Sequence, residues 1–151
     1  LSYTDNGDGT ITDNNTGLMW EKKSDDGSIH DRDTLYTWDD AFAVLSAGLN
    51  AGAGFAGHTD WRVPNVKELQ SIMNYENSNP AVSPAFNTGC VAACTVLTCS
   101  CTAARGYWSS STVAVPPLGP SDAWPVVFFD GSMIANFKGN ARHVRAVRGG
   151  L

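Results

Sequence analysis

A proline set directly before a helix-capping signal fixes a corner in a chain, and Thr59-Asp60-Trp61-Arg62-Val63-Pro64-Asn65-Val66-Lys67-Glu68-Leu69-Gln70 carries one. The proline ring pushes Val63 out of the α region. Asn65, followed three residues later by Glu68, has the spacing of a capping box, which predicts a helix over Val66 to Tyr75. Val66, Leu69, Ile72 and Met73 recur at helical spacing, so this strand-to-helix corner also presents an apolar stripe that other elements must cover.

Before the corner, Leu1 to Lys23 alternates short β-prone runs with turn clusters: Asp5-Asn6-Gly7-Asp8-Gly9, then Thr10-Ile11-Thr12, then Asp13-Asn14-Asn15-Thr16-Gly17, then Leu18-Met19-Trp20-Glu21. Gly, Asn and Asp tolerate the positive φ of tight turns, so two or three antiparallel strands are predicted. Asp5, Asp8 and Asp13 also offer hard oxygen ligands, which makes calcium the one cofactor the composition leaves open. The spacing is not that of an EF-hand, because Gly7 and Thr16 stand where oxygen ligands belong. Ser24 to Asp33 reads as a polar surface loop with His30 solvated in it. Thr37 then caps a helix over residues 38–50, with Trp38, Ala41, Phe42, Leu45 and Leu49 along one face.

After the second helix, Asn74 to Asn87 is an irregular connection, and four cysteines follow within twelve residues, at Cys90, Cys94, Cys99 and Cys101. An even, clustered count favours disulfides in an oxidising compartment over a zinc site, whose ligand pairs need a longer spacer. Direct closure of Cys99 with Cys101 is strained. This leaves the nested pairing Cys90–Cys101 with Cys94–Cys99, which is preferred, or the crossed one.

The last third is β-like. Gly106 to Thr112 reads as a strand, Val113 to Ser121 as a proline-rich loop, and Ala123 to Phe129 and Ser132 to Phe137 as hairpin arms about the Asp130-Gly131 turn. Arg142 to Arg148 closes the set. Strands at both ends with two helices between them give an α+β fold in which the helices pack on an antiparallel sheet. At 151 residues the chain is sized for one domain, residues 1–151, with a cysteine-rich loop at 88–104. Fifteen Asp+Glu against ten Lys+Arg argue against nucleic acid as a partner. No apolar window reaches the roughly 18 residues a span requires, so membrane insertion is not expected. Starting at Leu1 rather than Met, the chain reads as an excised or mature product.

Several blocks carry a resemblance. Asp5 to Asp13 with Thr16-Gly17-Leu18-Met19-Trp20, Thr59 to Asn65 with Glu68-Leu69, Tyr107-Trp108-Ser109-Ser110-Ser111, Ala123-Trp124, Phe128 with Gly131, and Val144 to Arg148 together resemble the Lcl C-terminal domain family, named for a Legionella collagen-like adhesin. The resemblance covers nearly the whole chain in order. It implies a C-type-lectin-like, loop-rich fold, distantly similar to formylglycine-generating enzymes, on secreted or surface-attached bacterial proteins. For the namesake it implies binding of sulfated glycosaminoglycans and trimer formation. The Cys90 to Cys101 loop lies outside the matched blocks.

No catalytic constellation accompanies these blocks, and the chain is not expected to be an enzyme. Ser109 to Ser111 lack a nucleophile elbow, and the three histidines stand apart. The expectation is an extracellular or cell-surface binding module that recognises a glycan or other surface ligand. Lys138, Arg142, His143, Arg145 and Arg148 cluster after the last acidic residue, Asp130, and suit sulfate groups. The candidate ligand-binding residues are therefore Lys138, Arg142, His143 and Arg145, with Trp124 as an exposed aromatic. A competing reading pairs some of these arginines with Asp60 or Glu68 at the core edge. The alternative function is a self-associating subunit of a filament, pilus-like fibre or trimeric stalk, because surplus aromatics anchor interfaces.

Overall fold

The N-terminal turn clusters fold the chain back on itself twice, as expected. In the computed structural model, which describes residues 1–115 and 117–149, the strands are β1 (Tyr3–Asp5), β2 (Thr10–Asp13), β3 (Met19–Glu21), β4 (Gly106–Tyr107), β5 (Asp122–Ala123), β6 (Val126–Val127), β7 (Asn136–Phe137) and β8 (Val147–Arg148). Pro116, within the expected proline-rich loop, and the last two residues of the expected domain lie outside the described residues. The main sheet is antiparallel, in the order β1-β2-β3-β8. Ile11 pairs with Trp20 and Trp20 with Val147, which sets a row of fully buried side chains across it. Gly9 opens β2 at φ 94, where a side chain would also run into Phe55 and Val96.

The chain is α+β, with antiparallel sheets and short helices, and two apolar clusters divide it. One gathers Ile11, Trp20, Leu69, Ile72, Phe86, Tyr107 and Phe128. The other gathers Tyr36, Ala41, Leu45, Leu49, Trp61, Trp108, Val144 and Ala146. His143 to Val147 runs between them, so alternate side chains enter opposite clusters and all five are buried.

The corner forms as predicted, in a shorter helix. The Asn65 side chain accepts from the N–H groups of Lys67 and Glu68, both at 2.9 Å, and Glu68 Oε2 accepts from Asn65 N at 2.8 Å. Glu68 also takes a two-pronged bond from Arg62 at 2.6 and 2.7 Å, while the Arg62 backbone exchanges two bonds with Val147. The helix, α3, spans Val66–Ser71 and ends at Ile72, because Met73 instead pairs with Val82. The first helical stretch is likewise modified. Trp38–Asp40 (α1) and Ala47–Leu49 (α2) flank a π-helical turn, Ala41–Ser46; the turn buries Ala41 and Leu45 but leaves Phe42 exposed, and α2 buries Leu49.

The Asp130-Gly131 hairpin also forms, and one residue splits its arms. Val126–Met133, Ala123–Asn136 and Asp122–Phe137 share one register, but Pro125 has no N–H to donate and Trp124 N donates to Ser111 O instead. The bridges are Cys90–Cys101 and Cys94–Cys99, the nested pairing. The loop they close is a docked unit. Ala93 N donates to Asp25 O, Asp25 N to Cys94 O and Cys101 N to Lys23 O, while Cys94, Cys99 and Cys101 are buried as a small core of their own.

Asn65 thus satisfies two N–H groups of a helix that has only six residues. Asn65→Ala is expected to lower the unfolding free energy by about 1 kcal/mol. Urea denaturation at neutral pH checks this, and an unchanged midpoint would contradict the role given to the cap.

Candidate ligand-binding cleft

Three irregular segments meet beside the cysteine loop and leave an open cleft of about 750 Å³. The 31–33 turn supplies Arg32 and Asp33, the stretch before β4 supplies Arg105, and the connection after α3 supplies Asn79 and Asn87. Phe129, 51% exposed, stands on its rim, and Cys90 and His143 complete the wall. A smaller depression of about 240 Å³ adjoins it through Arg105 and His143 and is lined further by Arg142 and Leu35. The two together line up Arg32, Arg105, Arg142 and His143.

Each of these groups is held differently. Arg142 exchanges two backbone bonds with Tyr36, and its guanidinium lies 5.6 Å from the Trp108 ring centroid and donates to Asn136. Gly106, lacking a side chain, lets that guanidinium approach the backbone. His143 stacks on Tyr107 with ring centroids 5.2 Å apart. Its Nδ1 is 2.7 Å from the Arg32 carbonyl, which can only accept, so Nδ1 carries the proton. Burial pushes the His143 imidazole below its ordinary value, against the opposing effect of that bond. Arg105 is exposed, and neither it nor Arg142 has an acidic partner among the described residues.

Charge also lies beneath the cleft. Arg145 is fully buried, donates through Nη2 to Cys101 O at 2.6 Å and to Thr102 Oγ1 at 2.9 Å, and sits over the Phe86 ring. Its Nε and Nη1 have no partner among the described residues. Lys23, also buried, bonds Glu21 Oε1 at 3.1 Å. The same oxygen is 2.8 Å from His30 Nδ1, and Glu21 Oε2 accepts from Ala146 N at 2.9 Å. Burial alone raises a carboxyl, but Lys23, His30 and the Ala146 amide outweigh it and hold Glu21 down, at about 2 against an ordinary 4.5.

The fold therefore divides the predicted ligand set. Arg142 and His143 meet in the groove. Arg145 does not, because its segment is covered on both faces and its side chain never reaches solvent. Lys138 lies elsewhere, with Nζ 3.9 Å from the Trp38 ring and bonded to Thr112 Oγ1. Trp124 is half-buried within the hairpin rather than exposed. Arg148 meets Asp60 at 2.7 Å, as the competing core-edge reading expects, whereas Glu68 is taken by Arg62, outside that cluster. His30 is no solvated residue but a partner of Glu21. Sequence reasoning missed Arg32 and Arg105, since isolated arginines in loops 73 positions apart carry no pattern.

The three aspartates weighed for calcium do not converge among the described residues. Asp5 accepts from Gly7 N and Lys22, Asp8 from Thr10 N, and Asp13 from Asn15 N, so each closes its own turn. Asp25, Asp31 and Asp33 do approach one another, with Arg32 between them.

A family model described as the Lcl C-terminal domain matches residues 9–148. No curated protein matches the chain.

Glu21 makes a pH prediction. Its folded value is depressed, so its stabilisation is present above pH 4.5 and is lost as pH falls toward about 2. Thermal melts of Glu21→Gln across that window should show a flatter acid limb than the parent. At neutral pH Glu21→Ala, which strands Lys23 as an uncompensated buried charge, should cost about 3–5 kcal/mol. Parallel acid limbs for the parent and Glu21→Gln would contradict the assignment.

Proposed function

Because the chain belongs to the Lcl C-terminal domain family, an adhesin-related family, we propose that it is a binding module rather than an enzyme, and that its cleft takes the anionic groups of a surface glycan. The observation that carries this reading is the meeting of Arg32, Arg105, Arg142 and His143 along one groove of a chain with net charge -5. Guanidinium forks suit sulfate and carboxylate oxygens, and charge-assisted bonds of that kind contribute about 1.5–3 kcal/mol each. Asn79 and Asn87 offer amides to sugar hydroxyls, and Phe129 offers a face for a pyranose ring. Asp33 keeps the ligand's anionic groups toward Arg105 and Arg142. Two disulfides and membership of an adhesin family fit an extracellular location, and secretion to the bacterial surface is part of the proposal. So is a C-type-lectin-like frame, supported by the family and by the loop-rich α+β build.

Self-association is a second reading with its own observation. Among the described residues, 132–137 pair on one side only, leaving an edge on which Met133, Ile134 and Phe137 are 41%, 63% and 57% exposed. An apolar edge of that kind favours pairing with another copy.

Retention on an immobilised sulfated polysaccharide tests the glycan reading. Arg105→Ser removes an exposed side chain and should weaken binding on the order of tenfold, at unchanged melting temperature. Parent protein eluting with a neutral-polysaccharide control would sink the proposal. Light scattering decides the second reading: a strict monomer at high concentration leaves the edge without a partner copy.

A further inference from the structure

The disulfide Cys90–Cys101 is asymmetric in its surroundings. Cys90 is half-buried and lines the cleft, whereas Cys101 is fully buried. The second bridge, Cys94–Cys99, lies behind it, with 6% and 1% exposure for its two residues. A reagent entering from solvent therefore meets Cys90 first.

The charges around this bridge are arranged to match. Arg32 Nη1 is 3.0 Å from Cys90 Sγ, on the cleft side, and Arg105 lines the same cleft. On the interior side the backbone of Cys101 is held at both ends: its N–H donates to the Lys23 backbone carbonyl, and its own carbonyl accepts from the buried Arg145 Nη2. The Arg145 Nε and Nη1 donors have no hydrogen-bond partner among the described residues. Arg32 also meets Asp25 at 3.5 Å and Asp33 at 3.6 Å, so Arg105, which has no acidic partner among the described residues, supplies the uncompensated cation that attracts a thiolate to the entrance.

We propose that Cys90 is a thiol–disulfide exchange site, at which a small anionic thiol entering the cleft becomes attached as a mixed disulfide. The incoming thiolate donates its electron pair to Cys90 Sγ, the new S–S bond forms, the Cys90–Cys101 bond breaks, and Cys101 leaves with the electron pair as a thiolate. One disulfide and one thiolate are consumed and one of each is produced, so no further oxidant or reductant enters. Cys101 Sγ is 3.7 Å from Cys94 Sγ and 3.8 Å from Cys99 Sγ, which places the released thiolate in contact with the second bridge. The reverse attack by Cys101 expels the ligand and restores the bridge, so the attachment is reversible. This site is independent of glycan recognition, although both use Arg32 and Arg105.

The test uses the intact oxidised chain. It is incubated with glutathione, an anionic thiol, or with cysteamine, a cationic one, at equal thiolate concentration, then acid-quenched, alkylated and mapped by peptide mass spectrometry. The expected adduct sits on Cys90. In a Cys94→Ser/Cys99→Ser variant, where the released thiolate has no second bridge to attack, the alkyl label sits on Cys101. Glutathione should react faster than cysteamine on the order of tenfold, and Arg105→Ser should bring the two rates together. Where Arg105→Ser disturbs the fold by circular dichroism, Arg32→Gln serves instead, with a reduced ratio expected. Adducts on Cys94 or Cys99, no adduct after prolonged incubation, or equal rates for the two thiols in the parent would each overturn the proposal.

Discussion

The buried carboxylate of Glu21 is the interaction on which the arrangement of the irregular segments depends. It stands at the end of β3, fully buried, and its two oxygens reach Lys23, His30 and the backbone N–H of Ala146. One side chain thereby ties the central sheet to the 24–31 loop and to the extended segment that runs between the two apolar clusters. Such a carboxylate is tolerated only because each oxygen has partners, since an unpaired buried charge costs several kcal/mol. Regular structure is sparse, with most strands two or three residues long, so polar anchors of this kind hold what longer ladders hold in other α+β domains.

The cleft inherits its character from that anchoring. Its walls come from loops, but the loops are fixed: His143 is bonded to the Arg32 carbonyl, and the cysteine loop is bonded to residues 23–25. Arg145 adds positive charge below, shielded from solvent and so little screened by salt, whereas the Lys23 charge is balanced by Glu21. A chain that is acidic as a whole thus presents a local basic groove. Net charge describes the average surface and says little about a concave site whose field is focused by low-dielectric walls.

The disulfides have two roles in this setting. They hold together a twelve-residue segment whose buried core is built of cysteines alone, and through Cys90 they place a reactive sulfur in the groove wall. The family match spans this loop, although the sequence blocks that carry the resemblance leave it out.

Much was legible in the sequence because it rests on local physics. The Pro64-Asn65-Glu68 corner, the N-terminal turns, the Asp130-Gly131 hairpin and the nested cysteines involve residues close in the chain, where backbone preference and loop length decide the outcome. The family was legible through the same blocks. Element length was not: α3 stops early because Met73 is captured by Val82, and Pro125 splits a strand that reads as continuous. The site was legible only in part, in Arg142 and His143. Whether a residue such as Arg145 faces solvent depends on what covers each side of its segment, and here both sides are covered by residues distant in sequence. The meeting of Arg32 with Arg105 has the same origin. Their approach is set by long-range packing and by the Arg32–His143 bond across 111 positions, and nothing in the sequence near either residue encodes it.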